Sequence, residues 1–108
     1  MDLFEEIYRI VRQVPRGKVS TYGAVARALG DIRASRAVGV AMNINPDPEF
    51  TPCYRIVNSD GTVGGFSMGA DEKIRRLKED GIEVVNGRIK NFEQVFFDDF
   101  FGSITAWL

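Results

Sequence analysis

The chain has 108 residues, enough for one small domain, and its 44% hydrophobic and 27% charged content is that of a soluble globular protein. One cysteine and no histidine exclude an internal disulfide, leave a zinc ion without its usual ligands, and remove Ser-His-Asp and Cys-His catalysis. Acid–base work falls to Asp, Glu, Tyr, Lys, Cys or water. No apolar run reaches the roughly 18 residues that a bilayer crossing needs. The start, Met1-Asp2-Leu3-Phe4-Glu5-Glu6, lacks the basic stretch of a signal peptide. We therefore expect a cytoplasmic protein that is a single domain over 1–108, with no metal, no cofactor and no membrane partner. The net charge is −1, but residues 1–36 carry +3 and the remainder −4. A basic face on an acidic chain is compatible with local DNA contact, and equally with ordinary scatter.

Phe4, Ile7, Tyr8, Val11 and Val14 recur at helical spacing, which predicts an amphipathic helix over 2–14. Asp2 is its N-cap, with Glu5 three residues on as in a capping box. Pro15-Arg16-Gly17-Lys18 breaks it. Ser20 or Thr21 caps a second short helix through Val25, Ala26 and Leu29, and Gly30 closes it. Asp31 turns the chain into a third helix, about 34–44, rich in small residues. Helix, tight glycine turn, helix is the helix-turn-helix pattern, which also occurs for packing alone. Asn45-Pro46-Asp47-Pro48-Glu49 is an extended loop, because two prolines forbid helix.

The segment Thr51-Pro52-Cys53-Tyr54-Arg55-Ile56-Val57 follows and holds the sole cysteine. Residue type alone favours a small inert packing residue. Pro52 stiffens the approach to the thiol, and Ile56 and Val57 anchor the segment to a core, a setting that also suits a reactive nucleophile. Ser59-Asp60-Gly61 reads as a turn and Val63-Gly64-Gly65-Phe66-Ser67 as a glycine-rich loop without the Walker ending. Residues 70–80 form a charged helix with Ile74 and Leu77 inward. Ile82–Val85 and Arg88–Lys90 around Asn86-Gly87 form a small hairpin. Phe92, Phe96, Phe97, Phe100 and Phe101 stand at helical spacing and are expected to complete the core.

In order and spacing these parts resemble the C-terminal domain of the O6-alkylguanine-DNA alkyltransferases over residues 2–90. The resemblance rests on five stretches. They are Ser20-Thr21-Tyr22, Ser35-Arg36-Ala37-Val38-Gly39, Asn45-Pro46, Pro52-Cys53-x-Arg55-Ile56-Val57, and Gly61-x-Val63-Gly64-x-Phe66-Ser67. It implies an α+β fold, mainly helical, with a winged-helix-like three-helix core bearing the helix-turn-helix, and a small hairpin. It further implies a monomer that binds double-stranded DNA containing O6-alkylguanine through the minor groove. Thr21, Tyr22, Ser35, Arg36, Ala37, Gly39, Asn45 and Arg55 would then serve DNA binding, with Arg36 filling the space that the flipped guanine vacates. Val63, Gly64, Phe66 and Ser67 would form the base pocket. Cys53 would take the alkyl group irreversibly, once per molecule, with Tyr22 donating its hydroxyl to the base. On residue type alone, Arg36 also reads as a solvated helix residue and Tyr22 as a core aromatic.

Two departures mark the chain. The family's histidine after the cysteine is Tyr54, and its glutamate falls on Asp80. Tyrosine starts protonated at neutral pH, so Tyr54 would only relay, taking a hydrogen bond from thiol or water while donating to a carboxylate. Asp80, one methylene shorter than glutamate, is expected to reach that partner through water. No stretch of these 108 residues is expected to form the family's separate N-terminal domain. The short alkyltransferase-like proteins share this architecture; they bind alkylated guanine without transfer and pass it to excision-repair proteins, usually with tryptophan in place of the cysteine. The alternative reading is such a lesion binder, and a plain helix-turn-helix module is the third.

Overall fold

The computed structural model describes residues 2–101; residue 1 and residues 102–108, which the single-domain reading of 1–108 includes, lie outside them. Helix α1 (Leu3–Val11) starts where the Asp2 carboxylate accepts the Glu5 amide hydrogen at 2.9 Å, satisfying one of the donors a helix start leaves unpaired. It stops short of the predicted residue 14 because Gln13 and Val14 bond Ile10 and Val11 in tighter turns. Its apolar stripe of Ile7, Ile10 and Val11 is fully buried. Each such side chain contributes about 2 kcal/mol on removal from water.

Thr21 is the N-cap of helix α2 (Tyr22–Ala28), its hydroxyl accepting the Ala24 amide hydrogen at 3.0 Å. Gly30, at φ +91°, closes that helix. The Gly30 amide donates to Arg27 and the Asp31 amide to Ala26, the paired bonds of a Schellman stop that favours glycine at the left-handed position. A 3₁₀ turn, Ile32–Ala34, leads into helix α3 (Ser35–Asn43). The two helices and their turn form the helix-turn-helix, with α1 packed across both.

Strand β1 (Ser20–Thr21) pairs in parallel with β2 (Ile56–Val57), Ser20 opposite Ile56 and Thr21 opposite Val57. This two-residue ladder sets the first residue of α2 beside the cysteine turn. Helix α4 (Ala70–Glu79) follows. Strands β3 (Val84–Val85) and β4 (Arg88–Ile89) then form an antiparallel hairpin, with Asn86 and Gly87 at φ +52° and +74°, the type I′ geometry that Asn-Gly favours.

The phenylalanine tail departs from expectation. Only Phe92–Val95 is helical (α5). Beyond it the chain extends along Val19, which donates to Val95 at 2.9 Å and accepts from Phe97 at 2.7 Å. Ladder bonds to Val19 prevail there over helical periodicity. Phe92, Phe97 and Phe100 pack on the core as expected, whereas Phe101 is 87% exposed.

Two apolar clusters result. One gathers α1, α2 and α3 with Cys53 and Ile56; the other gathers Val19, Val57, Val63, Leu77, Ile82 and Ile89. Among the described residues no helix is long and apolar enough to cross a membrane.

Candidate active site

Cys53 opens a 3₁₀ turn, Cys53–Arg55, behind Pro52. The approach is clamped from several sides. The Asn45 amide donates to the Thr51 carbonyl at 2.8 Å and its oxygen accepts from Asp47 at 3.1 Å, while Arg12 donates to the Thr51 hydroxyl at 2.9 Å. Asn45 and Thr51 are themselves buried. Buried polar groups bonded in this way fix a loop, because releasing either partner leaves an unpaired group in the interior.

The thiol residue is 2% exposed and lines a pocket of about 140 Å³. Tyr22 from α2, Gly39, Met42 and Asn43 from α3, and Gly65, Phe66 and Ser67 from the loop complete its wall. Phe66 and Ser67 stand where the sequence places the base pocket. Val63 and Gly64 do not: Val63 is buried in the second cluster, and Gly64 sits against the Asn58 side chain. The loop reaches the pocket only from Gly65 onward. Burial, and secondarily the charge of Cys53, push the Tyr22 phenol above its ordinary range, so it holds its proton at neutral pH.

Tyr54 faces away from the thiol's cluster and packs on the second one. Its hydroxyl donates to Asp80 Oδ1 at 3.2 Å. The carboxylate is reached directly, not through water, because Asp80 caps the end of α4. Among the described residues no hydrogen bond joins the Tyr54 hydroxyl to the thiol, so only the carboxylate half of the relay is formed. Burial raises the Tyr54 phenol, with Arg55 opposing and Asp80 adding to the rise.

Arg55 completes this group, donating to Asp80 Oδ2 at 2.7 Å and to the Val14 carbonyl at 3.0 Å. Its side chain is 15% exposed and that of Asp80 7%. Arg55 and Asn45, assigned to DNA contact on sequence, are thus turned inward to partners that hold the thiol's turn. Glu79 points elsewhere, to Arg75 on the surface.

Two residues of α4 escaped the sequence reading. Lys73 is fully buried, and its ammonium donates to the carbonyls of Ile56 at 2.6 Å and Gly65 at 3.0 Å. Burial pushes it down to about 8, with the charge of Cys53 acting upward. Arg76 lies over the rings of Phe66 and Tyr54, 5.5 and 5.9 Å from their centres, and pairs with Glu49 and Glu72. The signal for Lys73 was its spacing of four from Leu77, which places a cation on the inward stripe of an amphipathic helix.

Arg36 is exposed on the first turn of α3, and its guanidinium has no hydrogen bond or ion pair among the described residues. Gly39 lies one turn further, with open space where a side chain would stand. Ser35 donates its hydroxyl to Ile32, Thr21 is buried as a cap, and Ala37 packs on the first cluster. Thr21, Tyr22 and Ser35 also border a wider hollow with Arg27, Asn58 and Asp60.

The family model described as 6-O-methylguanine DNA methyltransferase, DNA binding domain, matches residues 2–82. The chain belongs to this family. It is 50% identical over 101 residues to a bifunctional methyltransferase/endonuclease of Thermoplasma volcanium, a match covering 92% of this chain and 32% of the relative. The chain therefore spans about a third of the length of that relative. Among solved structures, S. pombe Atl1 in complex with damaged DNA containing O6-carboxymethylguanine superposes with a TM-score of 0.79 at 33% identity, covering 90% of this chain and 98% of that one. The O6-methylguanine-DNA methyltransferase of Pyrococcus kodakaraensis gives 0.68 at 40% identity, over 76% and 47%. The mainly helical fold with its helix-turn-helix is that of the family's DNA-binding domain, and the family is one of DNA repair.

Proposed function

We propose that the chain repairs O6-alkylguanine in double-stranded DNA, as a monomer, by moving the alkyl group to Cys53. The observation that carries this is the thiol lining a pocket between the recognition helix and the Gly65–Ser67 loop, with a protonated Tyr22 in the same wall. The exposed face of α3 would enter the minor groove. Arg36, free of internal partners, would occupy the stack while the guanine turns into the pocket. The thiolate of Cys53 then attacks the alkyl carbon. A sulfur–carbon bond forms and the carbon–O6 bond breaks. The electron pair stays on the guanine, whose charge is met by a hydrogen bond from the Tyr22 hydroxyl until water supplies the proton. The thioether does not hydrolyse, so each molecule acts once.

The test is intact-protein mass spectrometry after incubation with a duplex carrying one O6-methylguanine, with Cys53→Ala as control. One added methyl group, mapped to Cys53 and absent from the control, is expected. An unchanged mass overturns the transfer.

A second reading is lesion binding without transfer, with hand-over to excision-repair proteins. It is favoured by Tyr54 in place of a base and by the match to nearly the full length of Atl1. On that reading the mass stays constant while lesion DNA is bound more tightly than undamaged DNA.

A further inference from the structure

We propose that Lys73, and not residue 54, supplies the charge that holds Cys53 as a thiolate. This rests on the reading of Cys53 as a nucleophile and names the group that makes it one.

The geometry comes first. The Lys73 ammonium lies 2.6 Å from the carbonyl of Ile56, whose own amide closes the cysteine turn on the Cys53 carbonyl. It lies 3.0 Å from the carbonyl of Gly65, which lines the thiol pocket, and 5.9 Å from the centre of the Tyr22 ring, which also lines it. The charge is therefore tied both to the strand that follows the cysteine turn and to the wall of the thiol's pocket. Lys73 is wholly removed from water, and among the described residues no carboxylate pairs with it. A buried cation without a counter-ion is costly, and an anion forming nearby relieves that cost.

The ionisable groups around the thiol point the same way. Tyr8, Tyr22 and Lys73, from α1, α2 and α4, are among the groups that sense a charge on Cys53. Both phenols are disfavoured as anions beside it, whereas the Lys73 ammonium gains; Arg76, over Phe66, and Arg12, on Thr51, are held by carboxylate or hydroxyl partners of their own. Tyr54 and Arg55, next to the cysteine in sequence, are engaged with Asp80. Lys73 does not take the thiol proton, which leaves to water; the ammonium stabilises the sulfur anion that remains. Away from water, a charge acts far more strongly on its neighbours than in solvent. Lys73 is in this sense a positioning residue, acting on the nucleophile by its field and on the pocket wall by its bond to Gly65.

The test uses the free protein without DNA, so it can be read whether or not alkyl transfer occurs. The chain has one cysteine, so its rate of modification by iodoacetamide across pH reports that thiol alone. In Lys73→Met we expect the midpoint to rise by about one unit or more and the rate at pH 7 to fall about tenfold. Tyr54→Phe should leave the midpoint within about 0.3 unit. An unmoved midpoint in folded Lys73→Met, or an equal shift in Tyr54→Phe, overturns the proposal. A reciprocal measurement does not depend on that variant folding. The Lys73 side chain, followed by NMR in the wild type and in Cys53→Ala, should titrate at lower pH once the thiol is gone. Identical titration in the two proteins overturns the proposal as well.

Discussion

Asp80 shows how much one short side chain decides. Its two oxygens hold Tyr54 and Arg55 from the cysteine turn, and Arg16 stands 3.8 Å away on the surface. Asp80→Ala would strand the mostly buried Arg55 charge, and we expect a loss of about 3–5 kcal/mol of stability in denaturant titrations. Arg36 is the opposite case. With no internal partner to lose, Arg36→Ala should change stability by less than about 0.5 kcal/mol, while affinity for an O6-methylguanine duplex falls at least several-fold; paired melting and binding assays separate the two effects. At position 54, histidine offers a proton acceptor at neutral pH where tyrosine offers none. Tyr54→His should therefore transfer alkyl groups faster than the wild type, measured by single-turnover kinetics, and an equal rate would show that a base at this position adds nothing to the activation of the thiol.

Helix α3 carries a conflict between propensity and use. Gly39 weakens its middle, yet nothing stands within 4 Å of where a side chain would be. Gly39→Ala should thus stabilise the protein by up to about 1 kcal/mol in thermal melts while weakening lesion binding, because the new methyl group stands at the pocket's edge. The helices, their caps and the Asn-Gly hairpin were legible because each is written locally, in spacing and in turn residues. The β1–β2 ladder was not, since two-residue strands far apart in sequence leave no periodicity to read. The same blindness affected the phenylalanine tail, whose path depends on distant Val19. Cys53, Tyr22, Phe66 and Ser67, named through the resemblance, line one pocket, whereas spacing marks Lys73 only as inward-facing, because its role depends on the carbonyls that two other segments bring to it.

For the molecule as a whole, the buried lysine should be visible in stability against pH. Its folded value of about 8 lies below its ordinary value of 10.5. Between them the unfolded chain holds more protons than the folded one, so stability rises with pH through that window, by up to about 3 kcal/mol. Tyr8, Tyr22 and Tyr54 are all raised in the fold. Above about pH 10 the unfolded chain loses those protons first, and stability falls again. Chemical denaturation from pH 7 to 11 should trace this maximum, and Lys73→Met should abolish the rise.

The segment 53–57 is shared by the two cores, Cys53 and Ile56 belonging to one, Tyr54 and Val57 to the other. No early fragment of the chain can therefore assemble the sulfur's surroundings. Tyr22 comes from well before it, Lys73 from well after, and the ladder that aligns them joins both sides. During synthesis the thiol emerges as an ordinary one and gains its special neighbours only when the whole domain closes. If the thiol is the alkyl acceptor proposed above, assembly itself guards it, and a half-made copy has none of the neighbours that would make it a nucleophile.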